Sequence, residues 1–170
     1  FVREYELDFE RCKKAAEEYD VDIIFGVEDQ ISGGLEILAY GVTPEILYAH
    51  PELREHKYED WRKVADEHEF LLIQAHPFRR GMEVVDWNIL DGYEIFNGNP
   101  RHNSNNDIAE IWAKKHNKSI VVSGSDFHEI GDACAGGIYF KNPINNNDDL
   151  LRELRSGNYR LKRTDLGESK

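Results

Sequence analysis

Short apolar runs alternate with helical stripes along this sequence, and this order limits the folds that the chain can adopt. Runs rich in β-branched or aromatic residues predict strands at residues 21–27, 35–42, 70–74, 92–96, 119–122, 136–140 and 159–161. Apolar residues at helical spacing predict helices at residues 3–19, 58–68, 103–116 and 147–156. A repeating βα order calls for a parallel sheet or barrel with helices outside. The sequence therefore predicts an α/β fold with one domain over residues 1–170.

The composition excludes several classes of function. Hydrophobic residues make up 40% of the chain and charged residues 32%, which is typical of a globular protein. The net charge of -12 argues against long nucleic acid and anionic membranes as partners, because both are bound through Lys and Arg. It suits bound divalent cations, although solubility explains it more simply. Two cysteines without Cys-x-x-Cys spacing favour the cytoplasm, and no apolar run reaches membrane-spanning length.

Polar side chains follow several predicted strands at the point where each strand ends. They are Glu28, His76, Asn97, Asp126 and His128. In an α/β barrel these ends converge on one face, where the active site lies. Carboxylate oxygens and imidazole nitrogens are the donors that a divalent metal or a proton transfer needs. The alternatives are a salt-bridged glutamate, a core histidine bonded to backbone, and an Asx turn with a surface histidine.

Further candidates lie on the loops beside these strand ends. His102 follows Asn97 closely and could contact substrate or metal. Arg79 and Arg101 could each hold a phosphate through a bidentate fork, or pair with surface acids. The sequence has no Ser or Cys nucleophile with a visible base, no phosphate-binding Gly-Lys-Ser/Thr loop and no dinucleotide fingerprint. Metal-activated water is therefore the best available nucleophile.

Four segments, taken in order, resemble the PHP (polymerase and histidinol phosphatase) family. They are Phe-Gly-Val-Glu at residues 25–28, Gln-Ala-His-Pro-Phe-Arg at 74–79, Glu-Ile-Phe-Asn-Gly at 94–98 and Gly-Ser-Asp-Phe-His at 124–128. The resemblance extends from about residue 21 to residue 140, and the combination of the second and fourth segments is fairly specific. It implies a distorted (β/α)7 TIM-like barrel that hydrolyses phosphoesters with two or three metals, which would be manganese, iron or zinc.

The resemblance also implies roles for individual residues. Glu28 resembles a bridging carboxylate, His76 a ligand of the second metal, and Asp126 with His128 a closing pair on different metals. The family's initial His-x-His strand is not in this sequence, so we expect a barrel that lacks its first strands and about three donors. A family histidine falls near Glu36, and a carboxylate there could replace it as a manganese ligand.

The leading interpretation is a metal-dependent phosphoesterase that acts on a phosphomonoester of a small metabolite or nucleotide. Asp126 belongs to its catalytic centre, and His102 or His128 protonates the leaving group. Arg79, Arg101 and Asn97 bind the substrate. One alternative is a phosphodiesterase or nuclease, against which the acidic charge counts. Others are a noncatalytic or regulatory module with an incomplete metal site, and an amidohydrolase-type barrel that attacks a C–N bond.

Overall fold

Two sheets and five α-helices form the part of the chain that the computed structural model describes, residues 2–86, 88–117 and 120–164. The strands are Gly26–Ile31 (β1), Leu35–Tyr40 (β2), Leu71–Gln74 (β3), Gly92–Asn97 (β4), Ile120–Gly124 (β5), Gly136–Phe140 (β6) and Tyr159–Arg163 (β7). The α-helices are Val2–Ala16 (α1), Pro44–Ala49 (α2), Tyr58–His68 (α3), Asn106–Lys115 (α4) and Asn147–Ser156 (α5). Two short 3-10 helices span Pro51–Glu55 and Ile130–Asp132.

The larger sheet is mixed rather than wholly parallel. Its strand order is β1-β2-β3-β4-β5, while β6 and β7 form a separate antiparallel pair. β3, β4 and β5 run parallel, as the βα pattern predicts. β2 is antiparallel to both of its neighbours. The α/β class is thus confirmed, but the described strands do not close into a barrel, and the TIM-like barrel prediction is not confirmed.

The β1–β2 hairpin is the main departure from the predicted topology. Gly33 and Gly34 turn the chain with φ angles of 101° and 86°, a region that is open to glycine at little cost. A link this short cannot carry a crossover helix, so the two strands must be antiparallel. The prediction of a strand at residues 21–27 is also wrong, because β1 begins only at Gly26. Glu28 therefore lies within a strand and not at its end.

The two faces of the hairpin have different surroundings. Val27, Ile37 and their neighbours on one face belong to the main apolar cluster, together with Trp61 and Val64 of α3. Leu38 and Tyr40 on the other face pack with a second cluster to which α5 contributes Leu151 and Leu154. Because strand residues alternate between faces, Glu28 and Glu36 lie on this second face. The hairpin thus directs both acids away from the main core.

Other elements agree with the sequence apart from their bounds. The predicted helix at residues 3–19 ends at Ala16. The polar and charged sequence at residues 49–59 favours a solvated segment, yet its 3-10 helix buries Leu53 in the main cluster. Ser119, the predicted start of the fifth strand, lies outside the described residues. Of the helices described, none has both the length and the apolar character needed to cross a bilayer.

Candidate metal centre

A cavity of about 420 Å³ gathers the side chains that the sequence marked as metal ligands. They reach it from the hairpin, from the segment after β3 and from the segment after β5. The residues that line the cavity are Tyr5, Glu28, Asp29, Gln30, Glu36, His76, Arg79, Asp126 and His128. Five predicted metal ligands and one predicted substrate-binding arginine are among them.

Three of these donors meet at one point. In the hairpin register Glu28 faces Leu38 and Glu36 faces Gln30, so the two acids are diagonal neighbours on one face. His76 Nε2 lies 2.9 Å from Glu36 Oε2 and 3.5 Å from Glu28 Oε1. One ligand atom from each of the three residues lies within 4.8 Å of the other two. Two carboxylates therefore share one imidazole.

His76 is held firmly in this position. Its side chain is only 2% exposed, its φ of 26° is unfavourable for a residue with a Cβ, and its backbone N–H donates to Glu94 Oε2 at 2.9 Å. Burial lowers the pKa of the imidazole, but the hydrogen bond to Glu28 and the charges of Glu94 and Glu36 outweigh burial and raise it. Buried Nδ1 has no hydrogen-bond partner among the described residues.

Asp126 and His128 form the opposite side of the cavity. Asp126 has a left-handed backbone with φ 49°, which aspartate tolerates better than most residues. Its Oδ2 accepts from Arg79 Nη2 at 2.5 Å and from Asn97 Nδ2 at 3.2 Å. Burial raises the pKa of Asp126, but these hydrogen bonds outweigh burial and lower it, so the carboxylate stays ionised. His128 Nδ1 lies 3.2 Å from Asp126 Oδ1, and its side chain is 65% exposed.

Glu94 is a site residue to which the sequence analysis assigned no role. It is buried in β4, and its Oε2 accepts from the His76 backbone N–H and from Asn97 Nδ2 at 3.0 Å. Burial raises the pKa of its carboxyl to about 6. A Cβ at Gly124 would lie 2.6 Å from Glu94 Oε1, so this glycine leaves room for the acid. An acid within an otherwise apolar strand was the available signal.

Three predicted site residues, Asn97, Arg101 and His102, are not among those that line the cavity. Arg101 donates to Asp132 Oδ1 at 2.8 Å and to Asp132 Oδ2 at 2.6 Å. Asp132 Oδ2 also accepts from the backbone N–H of His128 at 2.9 Å. Arg101 thus fixes the turn that carries His128 instead of lining the cavity. His102 is exposed and is not among the lining residues. Asn97 does not line the cavity but bridges Glu94 and Asp126.

The donor set fits a divalent transition metal. Glu28 and Glu36 offer hard oxygen atoms, which suit manganese, and His76 offers a nitrogen that suits zinc and iron. The acids around His76 outnumber the imidazole, so a cation there would offset their repulsion. His76 Nδ1 remains unpartnered among the described residues, which leaves a second buried nitrogen that no protein contact explains.

Comparisons with known proteins agree with the resemblance found in the sequence. A family model described as PHP-associated matches residues 103–159. The crystal structure of a candidate metal-dependent phosphoesterase from Bifidobacterium adolescentis ATCC 15703 has a TM-score of 0.50 and 13% sequence identity. That match covers 92% of this chain and 82% of the other, and at this identity it shows likeness of fold alone. No curated protein matches the sequence. The resemblance to the PHP family is confirmed.

Proposed function

We propose, from its likeness to PHP-family proteins, that this chain is a metal-dependent phosphoesterase that hydrolyses a phosphomonoester of a small metabolite or nucleotide. The observation that carries the proposal is the meeting of Glu28, Glu36 and His76 within 4.8 Å, in a cavity that Arg79 and Asp126 also line. Such a cavity offers donors for a cation and a guanidinium for a phosphate in one place.

The metal-binding residues of the cavity lie on two sides of it. Glu28, Glu36 and His76 would hold one ion, and Asp126 would hold a second. When bound, such metals lower the pKa of water and offset the charge of a phosphoryl group. Glu94 is buried next to these residues and accepts a hydrogen bond from the backbone N–H of His76. It thereby orients the segment that carries His76.

Arg79 is positioned to bind a phosphate oxygen. Its Nη2 donates to Asn97 Oδ1 at 3.0 Å and to Ser104 Oγ at 3.3 Å, besides its bond to Asp126. These contacts hold the guanidinium at the cavity wall, where its other terminal nitrogen, Nη1, can donate to the substrate. His128 would be the proton donor to the leaving oxygen: Asp126 accepts from its Nδ1, and Nε2–H of the protonated ring would pass its proton to that oxygen.

Glu36→Gln is expected to lower manganese-dependent hydrolysis of an aryl phosphate by about 10–100-fold, a loss typical of a weakened metal site. The amide keeps the shape of the side chain but removes the charge that faces His76. Activity and bound manganese would be measured together across a metal titration. Glu55→Gln is the matched control, because Glu55 is exposed and does not line the cavity. Equal activity and metal content in Glu36→Gln and the wild type would contradict the proposal.

His128→Ala is expected to act differently on two kinds of substrate. An alkyl phosphate has a poor leaving group, so its hydrolysis should fall by about 100-fold or more when the acid is removed. An aryl phosphate with an acidic phenol needs little protonation and should be hydrolysed at nearly the wild-type rate. The ratio of kcat values for the two substrates measures this effect. If His102→Gln changes the ratio and His128→Ala does not, the proton donor is His102 instead.

A noncatalytic module is the second candidate, and one contact favours it. Arg79 forms an ion pair with Asp126, the carboxylate that would bind a metal if the chain is an enzyme. In a module without metals, Arg79 would serve as a permanent counter-charge. Metal analysis of the wild type and of His76→Ala separates the two candidates: the enzyme holds transition metal that His76→Ala loses, and the module holds no metal that depends on His76.

A further inference from the structure

A second group of metal-binding side chains lies where α2 and α3 end. His50, Glu67 and His68 each offer one ligand atom, and these atoms all lie within 4.8 Å of one another. None of the three lines the cavity described above. We propose that they form a separate site for zinc or a similar divalent transition ion, which links the end of α2 to the end of α3. This site does not depend on the proposed phosphoesterase activity.

The backbone fixes both histidines at helix ends. His50 closes α2, where its N–H donates to the carbonyl of Ile46 at 3.1 Å, and Pro51 then begins the first 3-10 helix. His68 is the last residue of α3, which Glu69 ends with a left-handed φ of 57°. These ends bring His50 Nε2 to 2.8 Å from His68 Nε2. Because both donors stand on regular structure, little conformational freedom is lost when an ion binds.

The hydrogen bond from His50 to Glu52 presents a nitrogen lone pair to the site. His50 Nδ1 lies 3.0 Å from Glu52 Oε1, and a carboxylate can only accept, so Nδ1 carries the proton. Nε2 of a neutral His50 therefore faces His68 with a lone pair. Zinc-binding histidines commonly donate their other N–H to a carboxylate in this way, which fixes the tautomer and strengthens the ligand.

Because His50 Nε2 faces His68 Nε2 with a lone pair, His68 Nε2 must either carry a proton or bind a cation together with His50. Without an ion, its Nε2–H donates to the lone pair of His50. With an ion, a neutral His68 carries its proton on Nδ1, so both Nε2 atoms bind metal and no net proton is released. Two imidazoles and one carboxylate form a zinc-binding set that leaves a fourth position for water. Glu67 and His68 are exposed, so an ion can enter from solvent.

The two sites should have different metal preferences and different roles. The cavity around His76 offers mainly carboxylates, while this site offers two imidazoles, the ligand type that suits zinc, copper and nickel. An ion held by His50 and His68 would join the end of α2 to the end of α3 within the connection between β2 and β3. Its expected effect is on stability and not on phosphate chemistry.

The test compares zinc binding by His76→Ala and by the double variant His76→Ala/His68→Gln. The cavity site is weakened in both variants, so their difference reports on the site at His68. Equilibrium dialysis should give one zinc fewer per chain for the double variant. Zinc at about 100-fold above its Kd should raise the melting temperature of His76→Ala by on the order of 5 °C. The double variant should show no such rise, nor should Glu67→Gln in the same background. Glu59→Gln, an exposed acid on the same helix, is the matched control and should behave as His76→Ala does.

Nitrogen NMR of histidine-labelled wild-type protein provides a readout that needs no destabilised background. Zinc should shift the Nε2 resonances of His50 and His68 and leave that of exposed His102 unchanged. Equal zinc binding and equal melting shifts with and without His68→Gln would overturn the proposal, as would unchanged His50 and His68 resonances. Neither result bears on the phosphoesterase proposal, which the Glu36 variant tests.

Discussion

Replacing His76 with alanine is expected to reduce metal-dependent hydrolysis by more than about 100-fold. Removing a group that merely orients a metal ligand costs about 10–100-fold, and His76 is itself the donor that Glu28 and Glu36 share. Its removal also leaves these acids and Glu94 without the imidazole that offsets their charges. The loss should appear in kcat/KM for an aryl phosphate and in the metal content of the dialysed protein.

The matched control for this variant is His68→Gln. His68 is an exposed histidine outside the cavity, so its loss should leave hydrolysis unchanged at 25 °C, although it should remove the ion proposed to bind with His50. If excess manganese restores the rate of His76→Ala, the residue acts mainly in metal affinity. A variant that keeps both its metal and its wild-type rate would show that His76 is a structural residue, and the metal centre would have to be sought elsewhere.

Trp61→Ala is expected to lower the free energy of unfolding by about 3–5 kcal/mol, the range for removal of a large buried side chain. Trp61 is fully buried in α3 and packs edge-on against Phe70, with ring centroids 6.3 Å apart. Its Nε1–H donates to Asp29 Oδ2 at 2.8 Å. The other oxygen of Asp29 lies 2.8 Å from His56 Nδ1. The tryptophan therefore fills the core and satisfies a buried carboxylate.

A second variant separates these two contributions. Trp61→Phe keeps most of the apolar contact but leaves Asp29 Oδ2 without its donor, which should cost about 1–3 kcal/mol. Urea denaturation measures both variants, and exposed Ile111→Ala on α4 should stay within about 0.5 kcal/mol of the wild type. If Trp61→Phe is as stable as the wild type, the hydrogen bond to Asp29 contributes little.

The parallel strands could be predicted from the sequence because each is largely apolar, with few polar residues between the apolar ones. Runs of this kind indicate strands buried on both faces, and residues 70–74, 92–96 and 119–122 correspond to β3, β4 and β5. Pro77 cannot continue a central strand, so the exit of the chain at His76 was also predictable. These three strands place the His76 and Asp126 sides of the cavity where the sequence suggested.

The hairpin could not be predicted in the same way, because its polar residues do not reveal which face they occupy. Glu28 and Asp29 are adjacent acids, yet Asp29 turns into the core to bond Trp61 and Glu28 turns toward His76. Hydrophobicity alone favoured the preceding, mostly apolar segment at residues 21–25, which is not part of a strand. Glu28 reaches the cavity through strand alternation and not through the strand-end position that the sequence analysis assumed.

The remaining contacts depend on partners that are distant in the sequence. Glu94 supports His76 through a backbone N–H, and Arg101 is committed to Asp132, an acid that the sequence analysis did not single out. No local pattern identifies such pairs, because they form only when the loops after β3, β4 and β5 pack together. Local signals therefore located most cavity residues, whereas tertiary contacts decided their orientation.

The glycine turn of the hairpin has a consequence for the order in which the site assembles. Glu28 and Glu36 are joined by this one local turn, while His76 is separated from them in the sequence by α2 and α3. Isolated hairpins form within about 1–10 μs, well before distant strands pair. The acidic half of the site can thus exist as an early folding unit whose like charges oppose its own formation. A divalent cation present during refolding should speed the formation of this hairpin, so that the ion acts as a folding nucleus before it serves any other purpose.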